Sequence, residues 1–122
     1  MDAEEMKRRT KVFAVNVVRF CRTLQRSEEA SVVKRQLLRS CTSVGANYRA
    51  ACLARSRADF VSKLGVVIEE ADESRYWMEL LVGSGLCQKD CIAELMREAS
   101  ELTSILIASV KTARPETRAN TQ

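Results

Sequence analysis

Residues 60–81 read Phe60-Val61-Ser62-Lys63-Leu64-Gly65-Val66-Val67-Ile68-Glu69-Glu70-Ala71-Asp72-Glu73-Ser74-Arg75-Tyr76-Trp77-Met78-Glu79-Leu80-Leu81. Within them Phe60, Leu64, Val67, Ala71, Ser74, Met78 and Leu81 alternate steps of four and three, the seam of a long helix packed in a left-handed bundle. A neighbouring stripe, Val66, Glu70, Glu73, Trp77 and Leu80, is also largely apolar, so this helix needs cover on more faces than one small subunit supplies. Its start is marked by Ser56-Arg57-Ala58-Asp59, a capping-box variant. Its end is marked by Gly83-Ser84-Gly85.

Working outward, the same periodicity predicts three more helices. One covers about 10–25, with Phe13, Val17, Phe20, Cys21 and Leu24 on one face. A second runs from Ser27 or Ser31 to about Ala54 on Val33, Leu37, Cys41, Val44, Tyr48 and Ala51, with Gly45 tolerated inside it. The last spans about 89–113 on Ile92, Leu95, Ala99, Leu102 and Leu106. Short connections favour antiparallel neighbours, so the expectation is an all-α, up-down-up-down four-helix bundle over residues 10–113. A basic leader (1–9) precedes it, and a polar tail (114–122) beginning Arg114-Pro115 reads as disordered. Equal rise along the central hairpin predicts that facing residues have numbers summing to about 113. Asn47 then falls opposite Gly65 or Val66, Ser43 opposite Glu70, and Arg39 and Ser40 opposite Glu73.

Composition agrees with one helical domain. The 122 residues are 46% hydrophobic and 30% charged but contain only one Pro and four Gly, too little turn chemistry for many short strands. Histidine is absent, which removes His-based triads, Glu-x-x-His di-iron ligands and most mixed zinc sites. Neither a secretory h-region nor a membrane-spanning apolar run is present, so a cytoplasmic location without membrane contact is expected. Five scattered cysteines do not form a disulfide framework there, and Cys87-Gln-Lys-Asp-Cys91 lacks the further ligands of a metal site. Neither metal nor cofactor is expected.

Charge is split along the chain. Residues 1–57 hold 13 Lys/Arg against 5 Asp/Glu, net +8, and residues 58–122 hold 7 against 11, net −4. Arg19, Arg22 and Arg26 lie close together on the first helix, and Lys34, Arg35 and Arg49 lie on the second. As a group they suit phosphates; individually, each also suits a solvated face or a salt bridge to the acidic half. In the acidic half, Glu70 and Glu73 share a helical face and would be able to share a proton or a cation. Without His or a nucleophile nearby, a structural polar cluster with Arg39, Ser40, Ser43 and Asn47 accounts for them better than catalysis. Tyr76 and Trp77 are stacking platforms in principle, but on a packed helix they suit a core edge or interface better.

Gln36-Leu37-Leu38-Arg39-Ser40, Thr42-Ser43-Val44-Gly45-Ala46-Asn47 and Glu69-Glu70-Ala71-Asp72-Glu73-Ser74-Arg75-Tyr76-Trp77 together resemble a bacterial four-helix-bundle family. It includes proteins encoded within intervening sequences of large-subunit ribosomal RNA genes, and is related in fold to the accessory variability protein of diversity-generating retroelements. The resemblance covers about residues 8–113, and Arg39, Ser43, Asn47 and Glu73 match its motif positions. Where many relatives continue Asn-Ile-Ala-Glu-Gly, this chain has Asn47-Tyr48-Arg49-Ala50-Ala51, so no role of that Glu-Gly carries over. The resemblance implies a non-enzymatic homo-oligomer, often a homopentameric ring. The expected partners are other copies of the chain and RNA or DNA held through the basic residues without strong sequence preference. The alternative is a scaffold docking a protein partner.

Overall fold

The computed structural model describes residues 1–114, and the expected disorder of the tail beyond Arg114 falls outside them. Four helices follow one another: α1 (Ala3–Cys21), α2 (Glu28–Ala51), α3 (Arg57–Gly83) and α4 (Lys89–Ala113). Each packs on its neighbours in sequence, and α4 closes back onto α1. Across the α1–α2 seam Thr10 packs on Gly45 and Lys34 lies near Cys21, and across α2–α3 Ser74 bonds Ser40, so neighbouring helices run antiparallel. The α2–α3 hairpin is the most extensive interface and α1–α4 the thinnest.

α1 begins seven residues earlier than the sequence suggests and ends four residues sooner. Residues 3–9 are its first two turns rather than a separate leader. Asp2 caps them by accepting from the Glu5 N–H at 2.8 Å, and Glu4 and Glu5 complement the helix dipole. Buried Met6 and Thr10 extend the core-facing stripe of Phe13, Val17 and Cys21 towards the amino end. At the other end the Thr23 hydroxyl donates to the Phe20 carbonyl at 2.7 Å, competing with helical continuation, and Ser27, extended, caps α2. α2 ends at Ala51, where Leu53 and Ala54 close tighter i→i+3 bonds to Ala50 and Ala51.

α3 starts where its sequence places it. The Ser56 hydroxyl accepts from the Asp59 N–H at 3.0 Å. It stops in a Schellman motif: Gly85 at φ 80° turns the chain, while Leu86 and Gly85 donate to the Leu81 and Val82 carbonyls. The four-three stripe is the buried one, with Leu64, Val67, Ala71, Ser74, Met78 and Leu81 fully enclosed. Of the second stripe, Val66 and Leu80 are 44% and 37% exposed, with Tyr76 beside them at 52%, whereas Trp77 is half-buried against the core, so that face is only partly covered on the single chain.

Phe13, Leu37, Leu64, Met78, Leu81, Ile92, Leu102 and Leu106 fill the core. Gly45 lets α1 approach α2, since a Cβ there would sit 3.2 Å from the Thr10 hydroxyl oxygen. Cys21 and Cys41 are buried free thiols whose pKa values burial pushes up to about 11 and about 12, which keeps them protonated and unreactive. No helix of the described residues is long and apolar enough to cross a membrane.

Candidate nucleic-acid interface

All five acids of the first 57 residues serve helix beginnings. Asp2 caps α1, Glu4 and Glu5 lie in its first turn, and Glu28 and Glu29 lie in the first turn of α2. The middle stretches of both helices therefore carry no negative charge. Lys11 and Arg19 of α1, Arg22 at its C-cap and Thr42 of α2 line one shallow groove of about 450 Å³, together with Ala14, Val15 and Val18. None of these three cations makes a salt bridge among the described residues, in contrast to Arg9, Arg39, Lys63 and Arg75. Arg35 and Arg49, both exposed, sit two turns to either side of Thr42 on α2. Lys34 is half-buried near Cys21, and exposed Arg26 lies in the α1–α2 connection. Of the six arginines and lysines singled out from sequence, the groove unites Arg19 and Arg22, with Lys11 as a third member that the sequence reading passed over.

The acidic half is tied up differently. The Arg39 guanidinium bonds both Glu70, at 3.3 Å, and Glu73. The Trp77 indole N–H donates to Glu73 Oε2 at 2.9 Å. That indole bond, followed by Arg39, holds the Glu73 carboxyl below its usual pKa of 4.5. The rest of the expected polar cluster is arranged otherwise. Ser40 is fully buried, donates to the Leu37 carbonyl and accepts from the Ser74 hydroxyl at 3.0 Å. Ser43 and Asn47 do not reach the acids: each donates to a carbonyl of its own helix, Arg39 and Ser43 respectively, because short side chains on a helix find the carbonyl one turn back first. The carboxylates are not sealed either, since the Glu70 and Glu73 side chains are 19% and 36% exposed. The Glu73-Trp77 bond is the part the sequence reading missed, although its four-residue spacing was available as a signal.

Because the native pKa of Glu73 is lowered, its carboxylate stabilises the fold above the unfolded-state pKa, and that contribution is lost as pH falls through the lower native value. Trp77 fluorescence should hold steady from pH 7 to 5 and shift below about pH 4.5, as the indole loses its charged acceptor. Glu73→Gln should abolish that shift. Identical acid titrations of the two proteins would contradict the assignment.

A four-helix bundle with one acid-free basic face, an ion-paired acidic hairpin and, among the described residues, no three Cys, Asp or Glu side chains grouped to hold a metal is the class this geometry defines. The chain belongs to the 23S rRNA-intervening sequence protein family, whose model matches residues 4–108. A solved structure from Bacteroides thetaiotaomicron, a protein with unknown function from the S23 ribosomal protein family, is similar throughout: 36% identity, TM-score 0.80, covering 87% of this chain and 98% of that one. Among curated proteins, none matches the chain.

Proposed function

We propose that this protein is a non-enzymatic homo-oligomer, a pentamer, that binds RNA or DNA through the phosphates. The carrying observation is the groove in which Lys11, Arg19 and Arg22 stand together, salt-bridged to no acid among the described residues. Cations held along one rigid helix, salt-bridged to no carboxylate among the described residues, form a positive strip that attracts phosphates. Arg35 and Arg49 extend the strip along α2, and Arg26 and Lys34 extend it towards the α1–α2 connection. Among the described residues no aromatic ring lines this groove, so the contact reads charge rather than bases. Assembly is supported by the second apolar face of α3, with Val66, Tyr76 and Leu80 exposed on one chain. The test is fluorescence anisotropy with labelled RNA and DNA of unrelated sequences over a salt series. The expected result is similar affinity for all of them, with log K falling linearly in log salt. Absence of binding at low salt, or affinity indifferent to salt, would overturn the proposal.

A further inference from the structure

The thin α1–α4 seam opens into a second groove, of about 700 Å³, which meets the Lys11 strip at Arg19. Phe13, Phe20 and Leu95 give it an apolar base. Its α4 wall carries Asp90, Glu94 and Glu98, and steps of four place these carboxylates in one row along the helix. Glu98 is closed off by a two-point pair with Arg9 at 2.7 and 2.8 Å. Asp90 and Glu94 make no side-chain hydrogen bond or salt bridge among the described residues, and both are exposed. Asp90 also complements the amino end of α4, whereas Glu94 lies beyond the first turn and has no such role. On the α1 wall the groove runs from Val12 to Thr23, about 17 Å or three helical turns.

A trough of that length, with an apolar base and a carboxylate row along one wall, has the shape and sign for an amphipathic helix with basic residues on one edge. The same carboxylates repel phosphate, so nucleic acid is the wrong occupant for this side of the molecule. We propose that the α1–α4 groove docks a basic amphipathic helix of a partner protein. Its apolar side lies on Phe20 and Leu95, and Lys or Arg residues four apart face Asp90 and Glu94. This stands independently of the nucleic-acid reading, since only Arg19 borders both grooves.

The test uses the full chain and two labelled Leu-rich helical peptides of about four turns, one with Lys and its twin with Glu at the charged positions. The Lys peptide should bind about tenfold or more tightly than its twin, and shift the amide signals of residues 90–98. Asp90→Lys with Glu94→Lys should invert that preference, while Glu69→Lys with Asp72→Lys on α3 should leave it unchanged. Equal binding of the twins, a preference that survives the first reversal, or one lost in the second would overturn the proposal. A change in assembled mass of the first variant would also overturn it, by assigning the groove to a contact between copies.

Discussion

Phe13→Ala should lower the unfolding free energy by about 3–5 kcal/mol. Phe13 is 1% exposed and is the largest of the five residues that α1 buries, the others being Met6, Thr10, Val17 and Cys21. Two costs add: the ring loses its transfer out of water, and the space it leaves is poorly refilled. The refilling is poor because α1 meets α4 over the thinnest interface of the bundle and Phe13 closes the bottom of the groove there. Its removal connects that groove with the core. A domain of this size has about 5–15 kcal/mol of stability, so the variant should forfeit roughly a fifth of it at the least. Urea unfolding followed by circular dichroism reads this directly, and a loss below about 1 kcal/mol would mean that α1 is not anchored through Phe13.

The second large effect concerns the basic strip. Lys11→Glu, Arg19→Glu and Arg22→Glu combined should weaken RNA and DNA binding by roughly 100-fold or more at low salt and flatten the slope of log K against log salt by about 2.7. Each lost phosphate contact removes about 0.9 from that slope, and three are lost. All three side chains are exposed and form no salt bridge among the described residues, so the fold should survive the reversal. A matched reversal of Arg9 would be uninformative, because that residue holds Glu98 and Glu101 across the α1–α4 seam. Affinity within threefold of the parent protein would place the contact elsewhere.

The hairpin was legible in sequence because its two arms are joined by a short turn. Once Ser56 fixes the start of α3, equal rise sets the register, and the observed Arg39–Glu73 and Ser40–Ser74 contacts fall within one residue of that arithmetic. α1 was read less well. The steps Met6, Thr10, Phe13, Val17 and Cys21 run straight through the charges Lys7-Arg8-Arg9, and the local charge run obscured the helical period. The Arg9–Glu98–Glu101 clamp joins α1 to α4 by spatial closure, with no chain connection to set a register. The basic strip was legible as composition, through the +8 charge of residues 1–57. Its geometry was not, since pairing decides which cations are free: Arg39, on the same helix as Arg35 and Arg49, is spent on Glu70 and Glu73.

As proposed, the protein is a homo-oligomer that carries nucleic acid on a basic face. Light scattering after size exclusion, at low and high salt, with absorbance followed at 260 and 280 nm, tests both halves at once. A five-fold assembly is expected at both salts, with a high 260/280 ratio at low salt that drops as the nucleic acid leaves at high salt. A monomer free of nucleic acid at low salt would contradict it.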